Sequence, residues 1–260
     1  MLMVISPAKA LNFAPPPVAA PLTVPALGGD TAELARTTRR LTVRDLKGLM
    51  GISDALAKLN RDRFQAFDPA GEEGVQAVFA FNGDVYLGLK ARELDKAALN
   101  WAQAHLRILS GLYGLLSPLD AIQPYRLEMG SALKTRRGAN LYAFWGPRIA
   151  QALNAAADGH ADRTLVNLAS HEYFAAVDRK ALNLPVVNCH FSQERDGALR
   201  PQGFVAKRAR GLLARFAIDR RAETAESLKA FDVNGYRFRP EASTDCDWVF
   251  AQGPAQGRGS

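Results

Sequence analysis

Four clusters of polar and charged residues stand directly beside apolar runs, and their side chains are of the kinds that hold anions and move protons. The first is Ser6-Pro7-Ala8-Lys9, after the apolar stretch Leu2–Ile5. The second is Phe81-Asn82-Gly83-Asp84-Val85-Tyr86, at the end of the apolar run Val75–Phe81. The third begins at Arg107, takes in Ser110 and Tyr113, and continues to Tyr125, Arg126 and Glu128. The fourth runs from Asn167 through Ser170, His171 and Glu172 to Tyr173. Ammonium and guanidinium groups pair with phosphate or carboxylate, which makes Lys9, Arg107, Arg126 and Lys207 candidates for an anion clamp. Glu128 or Glu172 is a candidate base, and Tyr125 or Tyr173 a candidate acid. Asn82, Asp84, Ser110, Tyr113, Asn167, Ser170 and Arg210 complete the set of pocket candidates. Any one pair also reads as a salt bridge or a capped turn, and no single arrangement names a reaction.

A second feature lies between Leu46 and Ala57. Leu46 and Leu49 give a short helix an apolar stripe, Gly51 permits a tight exit, Ile52 points inward, and Ser53 is placed to cap a following helix. This is the layout of a helix-hairpin-helix, a module that offers backbone amides at a helix N-terminus to a DNA phosphate. Lys47, Lys58, Arg61 and Arg63 would add charge contacts around Gly51, Ile52 and Ser53. Ser53 stands where such hairpins usually carry a second glycine. An ordinary helical hairpin with a solvated basic face is the competing reading.

The elements that must position these residues are mixed. Strands are expected at Leu2–Ile5, Val75–Phe81, Leu106–Leu109, Leu165–Leu168, Val186–Phe191, Tyr236–Phe238 and Trp248–Phe250. Helices are expected over 31–40, from a Thr42 cap through Leu49, over Asp54–Phe64, Leu94–Ala104 and Leu141–Ala156, and near Arg210–Arg220. Strands and helices intermingle along the chain, which predicts a mixed α/β fold: one compact domain over 1–250, a small helix-hairpin-helix insertion within 31–67, a basic cleft, and a flexible glycine-rich tail at 251–260. There is no Walker loop and no dinucleotide fingerprint.

The 260 residues are 48% hydrophobic and 23% charged, which fits a globular chain and not a disordered one. No apolar run reaches membrane-spanning length, and the N-terminus lacks the features of a signal peptide, so a cytoplasmic protein without a membrane partner is expected. The net charge is +7, and a basic excess favours polyanionic partners. It is concentrated in two stretches. Between Arg36 and Phe64 eight basic residues face three acidic ones, and between Arg200 and Arg221 seven face one. None of His105, His160, His171 and His190 forms a metal-binding pair in sequence, and Cys189 and Cys246 form no CxxC, so neither a metal site nor a cofactor is expected. Cys189 and His190 are neighbours on a predicted strand and should face opposite ways.

The string of motifs resembles one family throughout. Ser-Pro-Ala-Lys at 6–9, Leu-Met-Gly-Ile-Ser at 49–53, Phe-Asn-Gly-Asp-Val-Tyr at 81–86, Leu-Ser-Gly-Leu-Tyr-Gly at 109–114, Gln-Pro-Tyr-Arg-Leu-Glu-Met-Gly at 123–130, Phe-Trp-Gly at 144–146, Asn-Leu-Ala-Ser at 167–170 followed by Glu-Tyr-Phe at 172–174, and Ala-Lys-Arg-Ala-Arg-Gly at 206–211 look like the motifs of the bacterial YaaA family, in that family's order. The chain departs from the pattern at His171. The resemblance implies a compact mixed α/β fold with a helix-hairpin-helix and a positively charged cleft. It implies a role in limiting oxidative DNA damage and unincorporated iron during peroxide stress, and an association with DNA.

Two functions follow as expectations. One is DNA binding through phosphates by the hairpin and the basic cleft. The other is an enzyme acting on a nucleotide or other phosphorylated small molecule in a pocket built from the strand-end clusters.

Overall fold

The first strand, β1 (Leu2–Ile5), is apolar at every position and buried on both faces, as a central parallel strand must be. The computed structural model describes residues 1–69, 73–195, 198–201 and 203–253. After β1 come three helices, α1 (Gly28–Thr38), α2 (Val43–Met50) and α3 (Asp54–Ala66), then β2 (Val75–Gln76), α4 (Ala77–Ala80), α5 (Asp84–Leu89) and α6 (Lys96–His105). The chain continues with β3 (Leu106–Ser110), β4 (Gly114–Leu116), β5 (Ala121–Ile122), α7 (Leu141–Trp145) and α8 (Arg148–Ala156). It ends with β6 (Leu165–Leu168), α9 (His171–Phe174), β7 (Val186–Arg195), β8 (Ala198–Pro201), α10 (Gly203–Arg220), β9 (Tyr236–Phe238) and β10 (Asp247–Gln252). Residues 254–260 of the expected tail lie outside the described residues.

The main sheet runs in the order β4-β3-β1-β6-β7-β10-β9, with β8 on β7. Strands β3, β1, β6, β7 and β10 are mutually parallel, and β4, β8 and β9 are antiparallel additions. The chain therefore steps from β1 to one side, to β3, and then crosses over to the other side of β1, to β6. Open parallel sheets bind ligands where the strand order reverses in this way, beyond the carboxyl ends of the strands. Here that place is the gap between the ends of β1 and β6.

Two expected elements differ. The expected strand Val75–Phe81 is a strand for two residues and a helical turn thereafter. All of Ala77–Phe81 is buried, so the run has no polar face whose period could distinguish strand from helix. The expected helix Leu141–Ala156 is two helices, broken at Gly146, where φ is 47°, and Pro147. Cys189 is buried and His190 exposed, on opposite faces of β7 as expected.

The crossing of α5 over α10 sets the width of what lies between them, because it is a backbone-to-backbone contact. A Cβ on Gly88 would collide with the Arg208 carbonyl oxygen and stand 2.9 Å from Leu212 N; one on Gly211 would collide with the Val85 carbonyl oxygen and stand 2.7 Å from Leu89 N. Asp84 and Tyr86 on α5 and Lys207 and Arg210 on α10 are thereby held across a narrow gap.

At the opposite end of β1, His105 Nδ1 and His160 Nδ1 both lie on the Met1 carbonyl oxygen, at 2.9 and 2.8 Å, and Trp101 stacks on His105. Burial lowers both imidazole pKa values, with the N-terminal amine adding to the effect and the Met1 carbonyl and Glu223 opposing it. Arg107 also disfavours the charge on His160. The folded chain therefore prefers both rings neutral, and the unfolded chain binds more protons as pH falls below the ordinary value of 6.5. The pair's contribution to stability is expected to be level above that pH and to decline below it, down through the lowered values. The His105→Gln, His160→Gln double variant should flatten the decline, read as the urea midpoint against pH; an unchanged slope would exclude the pair as its source.

Candidate functional site

A cleft of about 340 Å³ opens at the reversal point of the sheet. Its floor is made where β1 and β6 end. Ser170 N–H donates to Ser6 Oγ at 2.9 Å, and Ser6 Oγ–H donates to Ser170 Oγ at 3.3 Å. The Tyr86 hydroxyl donates to the Ser6 carbonyl at 3.2 Å, tying α5 to the same point. The segment after Ser6 is pinned alongside: Asn82 N–H donates to Ala10 O at 2.9 Å and Asn12 N–H to Ala80 O at 2.7 Å. These bonds hold the Ser-Pro-Ala-Lys and Asn-Gly-Asp clusters side by side, although they are far apart in the chain.

The walls carry balanced charge. Lys9, Lys207 and Arg210 line the cleft with Asp84, Glu128 and Glu172. Glu128 is held by two cations, Lys9 at 3.2 Å and Arg126 at 2.9 Å. Glu172 accepts from Gly130 N–H at 2.9 Å through Oε1, and its main-chain oxygen accepts from Tyr142. The neighbouring Tyr173 phenol is pushed up in pKa by burial and by the charges of Glu172 and Glu128, so it stays protonated and able to donate.

Arg210 differs from the other cations. Its Nε is buried without a partner, and the guanidinium makes no hydrogen bond or ion pair among the described residues. Burial disfavours its charge, and the interaction offsetting this is with Cys189, itself a buried thiol whose pKa burial raises. Lys207, three residues earlier on α10, lies on the same helix face and also makes no ion pair among the described residues.

The structure brings together Ser6, Lys9, Asn82, Asp84, Glu128, Ser170, Glu172, Tyr173, Lys207 and Arg210, with Arg126 behind Glu128. It does not bring Arg107 there. That side chain turns back to the Gln103 and Leu106 carbonyl oxygens, at 2.8 and 2.7 Å, toward the other end of β3. Ser110, Tyr113 and Tyr125 lie beneath the cleft in the core: Ser110 Oγ and Tyr125 OH are 2.6 Å apart, and the Tyr113 hydroxyl accepts from Gln123 N–H. Asn167 bonds laterally to Asn188 across β6 and β7. Val85 and Tyr86, members of the second cluster but not among the pocket candidates, also line the cleft although both are largely buried.

Helices α2 and α3 follow one another across a short turn at Gly51–Ser53. Thr42 and Asp45 make a capping box, Gly51 takes the left-handed conformation at φ 60°, Ile52 is buried, and Ser53 Oγ caps Leu56 N–H at 3.4 Å. The cations of these two helices are largely occupied. Lys47 pairs with Asp54 at 2.8 Å, and Lys58 and Arg61 share Asp62 at 3.2 Å each. Arg63 is partly buried, which lowers its pKa. Beside α2 a shallow groove of about 460 Å³ is lined by Arg44, Lys134 and Asp45; neither cation forms a salt bridge among the described residues, although Arg44 lies near enough to favour the Asp45 charge.

Comparison with known proteins decides the family. The family described as Peroxide stress protein YaaA matches residues 1–242. The chain belongs to the YaaA family. A UPF0246 protein of Caulobacter vibrioides is 67% identical over 97% of this chain and 99% of its own length. One from Phenylobacterium zucineum is 68% identical over 97% and 95%, and one from Maricaulis maris 53% identical over 97% and 96%. Among the described residues no group of three or more His, Cys, Asp or Glu side chains is arranged to hold a metal ion, and no helix is long and apolar enough to cross a membrane.

Proposed function

We propose that this YaaA-family protein acts in peroxide stress by binding a phosphorylated ligand in the cleft between β1 and β6. The observation that supports this most directly is Arg210, a half-buried guanidinium with no counter-ion among the described residues. A buried cation is costly unless paired, and an anion entering the cleft would supply the pair, with Lys207 beside it. Phosphate suits a guanidinium fork. Ser6, Ser170 and Asn82 add neutral polar groups, and the free oxygen of Glu172 with the protonated Tyr173 gives a base and an acid able to move a proton on the bound molecule. The test is isothermal titration calorimetry of the full chain with inorganic phosphate, ribose 5-phosphate and nucleoside monophosphates. Saturable binding of the organic phosphates is expected; no binding of any of them would end this reading.

A second reading keeps DNA as a partner through its backbone. It is favoured by Arg44 and Lys134, which border the groove beside α2 without salt bridges among the described residues. Neutralising phosphates releases counterions, so the affinity for duplex DNA should fall steeply with salt. Fluorescence anisotropy should show that binding weakened more by Arg44→Glu with Lys134→Glu than by reversal of Lys58, Arg61 and Arg63, whose charges are already partly spent on Asp62 and burial. Equal loss in both variants would return the contact to the hairpin.

A further inference from the structure

A second pocket, of about 330 Å³, adjoins the cleft. The two share Asn82 and Tyr86 as lining residues, so they lie on either side of one pair of side chains. The second pocket is different in character. Phe79 and Phe81 give it an apolar floor and Leu87 an apolar rim. Its volume is at the small end of the range of about 300–1,000 Å³ typical of small-molecule sites.

Two of its polar groups lack partners. The exposed Asn82 carboxamide makes no hydrogen bond to the protein among the described residues and is free to exchange water for a ligand, while its main chain is fixed by Ala10. Arg92 donates through Nη2 to the Pro15 carbonyl at 2.5 Å, which accounts for its structural role, yet its Nη1 is buried with no acceptor among the described residues. A buried N–H without an acceptor carries a desolvation cost that an incoming carbonyl or ring nitrogen would relieve. A flat ring meets these conditions: apolar faces for the phenylalanine floor, and acceptors and donors along its edge. Guanidinium and carboxamide are the two side-chain groups that read the edges of bases by paired hydrogen bonds.

We propose that this pocket receives the base of a nucleotide whose phosphate lies on Arg210 and Lys207. The proposal rests on the phosphate reading of the cleft. It assigns Asn82 and Arg92 to the base edge, and it makes the ligand a nucleotide in preference to a sugar phosphate.

The test compares ribose 5-phosphate with the nucleoside 5′-monophosphates by calorimetry. At least one nucleotide is expected to bind about 10-fold or more tighter than ribose 5-phosphate. Leu87→Trp, at a position 56% exposed on α5, fills the pocket; it should reduce nucleotide affinity to that of ribose 5-phosphate and leave the sugar phosphate unaffected. Arg92→Ala should do the same for the preferred nucleotide by a different route. Equal affinity for sugar phosphate and nucleotides in the natural protein, or nucleotide binding indifferent to both substitutions, overturns the base pocket and leaves the phosphate cleft standing. Binding of no phosphate compound at all removes the cleft reading and this inference with it.

Discussion

Gly211→Ala is expected to cost this protein about 3 kcal/mol, the upper end of what overpacking a tight contact usually costs. The added Cβ would collide with the Val85 carbonyl oxygen and crowd Leu89 N. Both are main-chain atoms of α5, which cannot rotate aside as a side chain can, so relief requires the helices to separate. The reciprocal contact of Gly88 with the Arg208 carbonyl means that any separation also loosens the second half of the crossing. For a chain of this size the loss corresponds to a fall in Tm of roughly 6–12 °C. Gly48 supplies the contrast. It lies within α2, and a methyl group there would meet no neighbouring atom within 4 Å, so Gly48→Ala should gain up to about 1 kcal/mol from helix propensity alone. Urea unfolding of the two variants beside the natural chain checks both. A neutral Gly211→Ala would mean that α5 and α10 do not approach as closely as described. The effect on ligand binding should follow the effect on packing, since Lys207 and Arg210 ride on α10 and Asp84 on α5.

The class of fold was legible because its signals are local. The apolar run Leu2–Ile5, the cap residues Thr42 and Ser53 and the glycine at 51 each announce an element from within a few residues, and each element is there. Polar clusters past strand ends were also legible, and those after β1 and β6 meet in the cleft. Strand order was not. It depends on which apolar run pairs with which at long range along the chain, and without it the reversal point, and hence the place where the clusters converge, has no signature. Arg107 illustrates the cost. Proximity to a strand made it a candidate, but it is the second residue of β3, and its guanidinium caps carbonyl oxygens near the start of that strand. Gly88 and Gly211 were equally silent, because a packing glycine has meaning only with its partner helix in view. Arg92 stood in no motif at all, and it is marked by a property that exists only after folding, a buried donor with nothing to bond among the described residues.

Arg210→Met is expected to stabilise the free protein and to remove ligand binding, two effects of opposite sign from one substitution. The guanidinium is half-buried, unpaired among the described residues and disfavoured by desolvation, whereas methionine offers comparable length and bulk without charge. Exchanging buried charge for apolar bulk is commonly neutral or stabilising, by about 1–4 kcal/mol, and a gain of about 1 kcal/mol is the expectation at a site this open. The bound state loses instead. A hydrogen bond to a charged group contributes roughly 1.5–3 kcal/mol, so the affinity for an organic phosphate should fall about 10- to 100-fold. Arg210→Lys keeps the charge and loses the fork, and should fall between the two in binding. The pattern separates function from structure. A residue held for folding would destabilise when replaced and leave binding alone, and that outcome would remove Arg210 from the site. A residue retained at a cost to stability because it meets an anion shows the reverse, and Lys207→Ala added to Arg210→Met should then cost less than the sum of the two, because both side chains act on one phosphate.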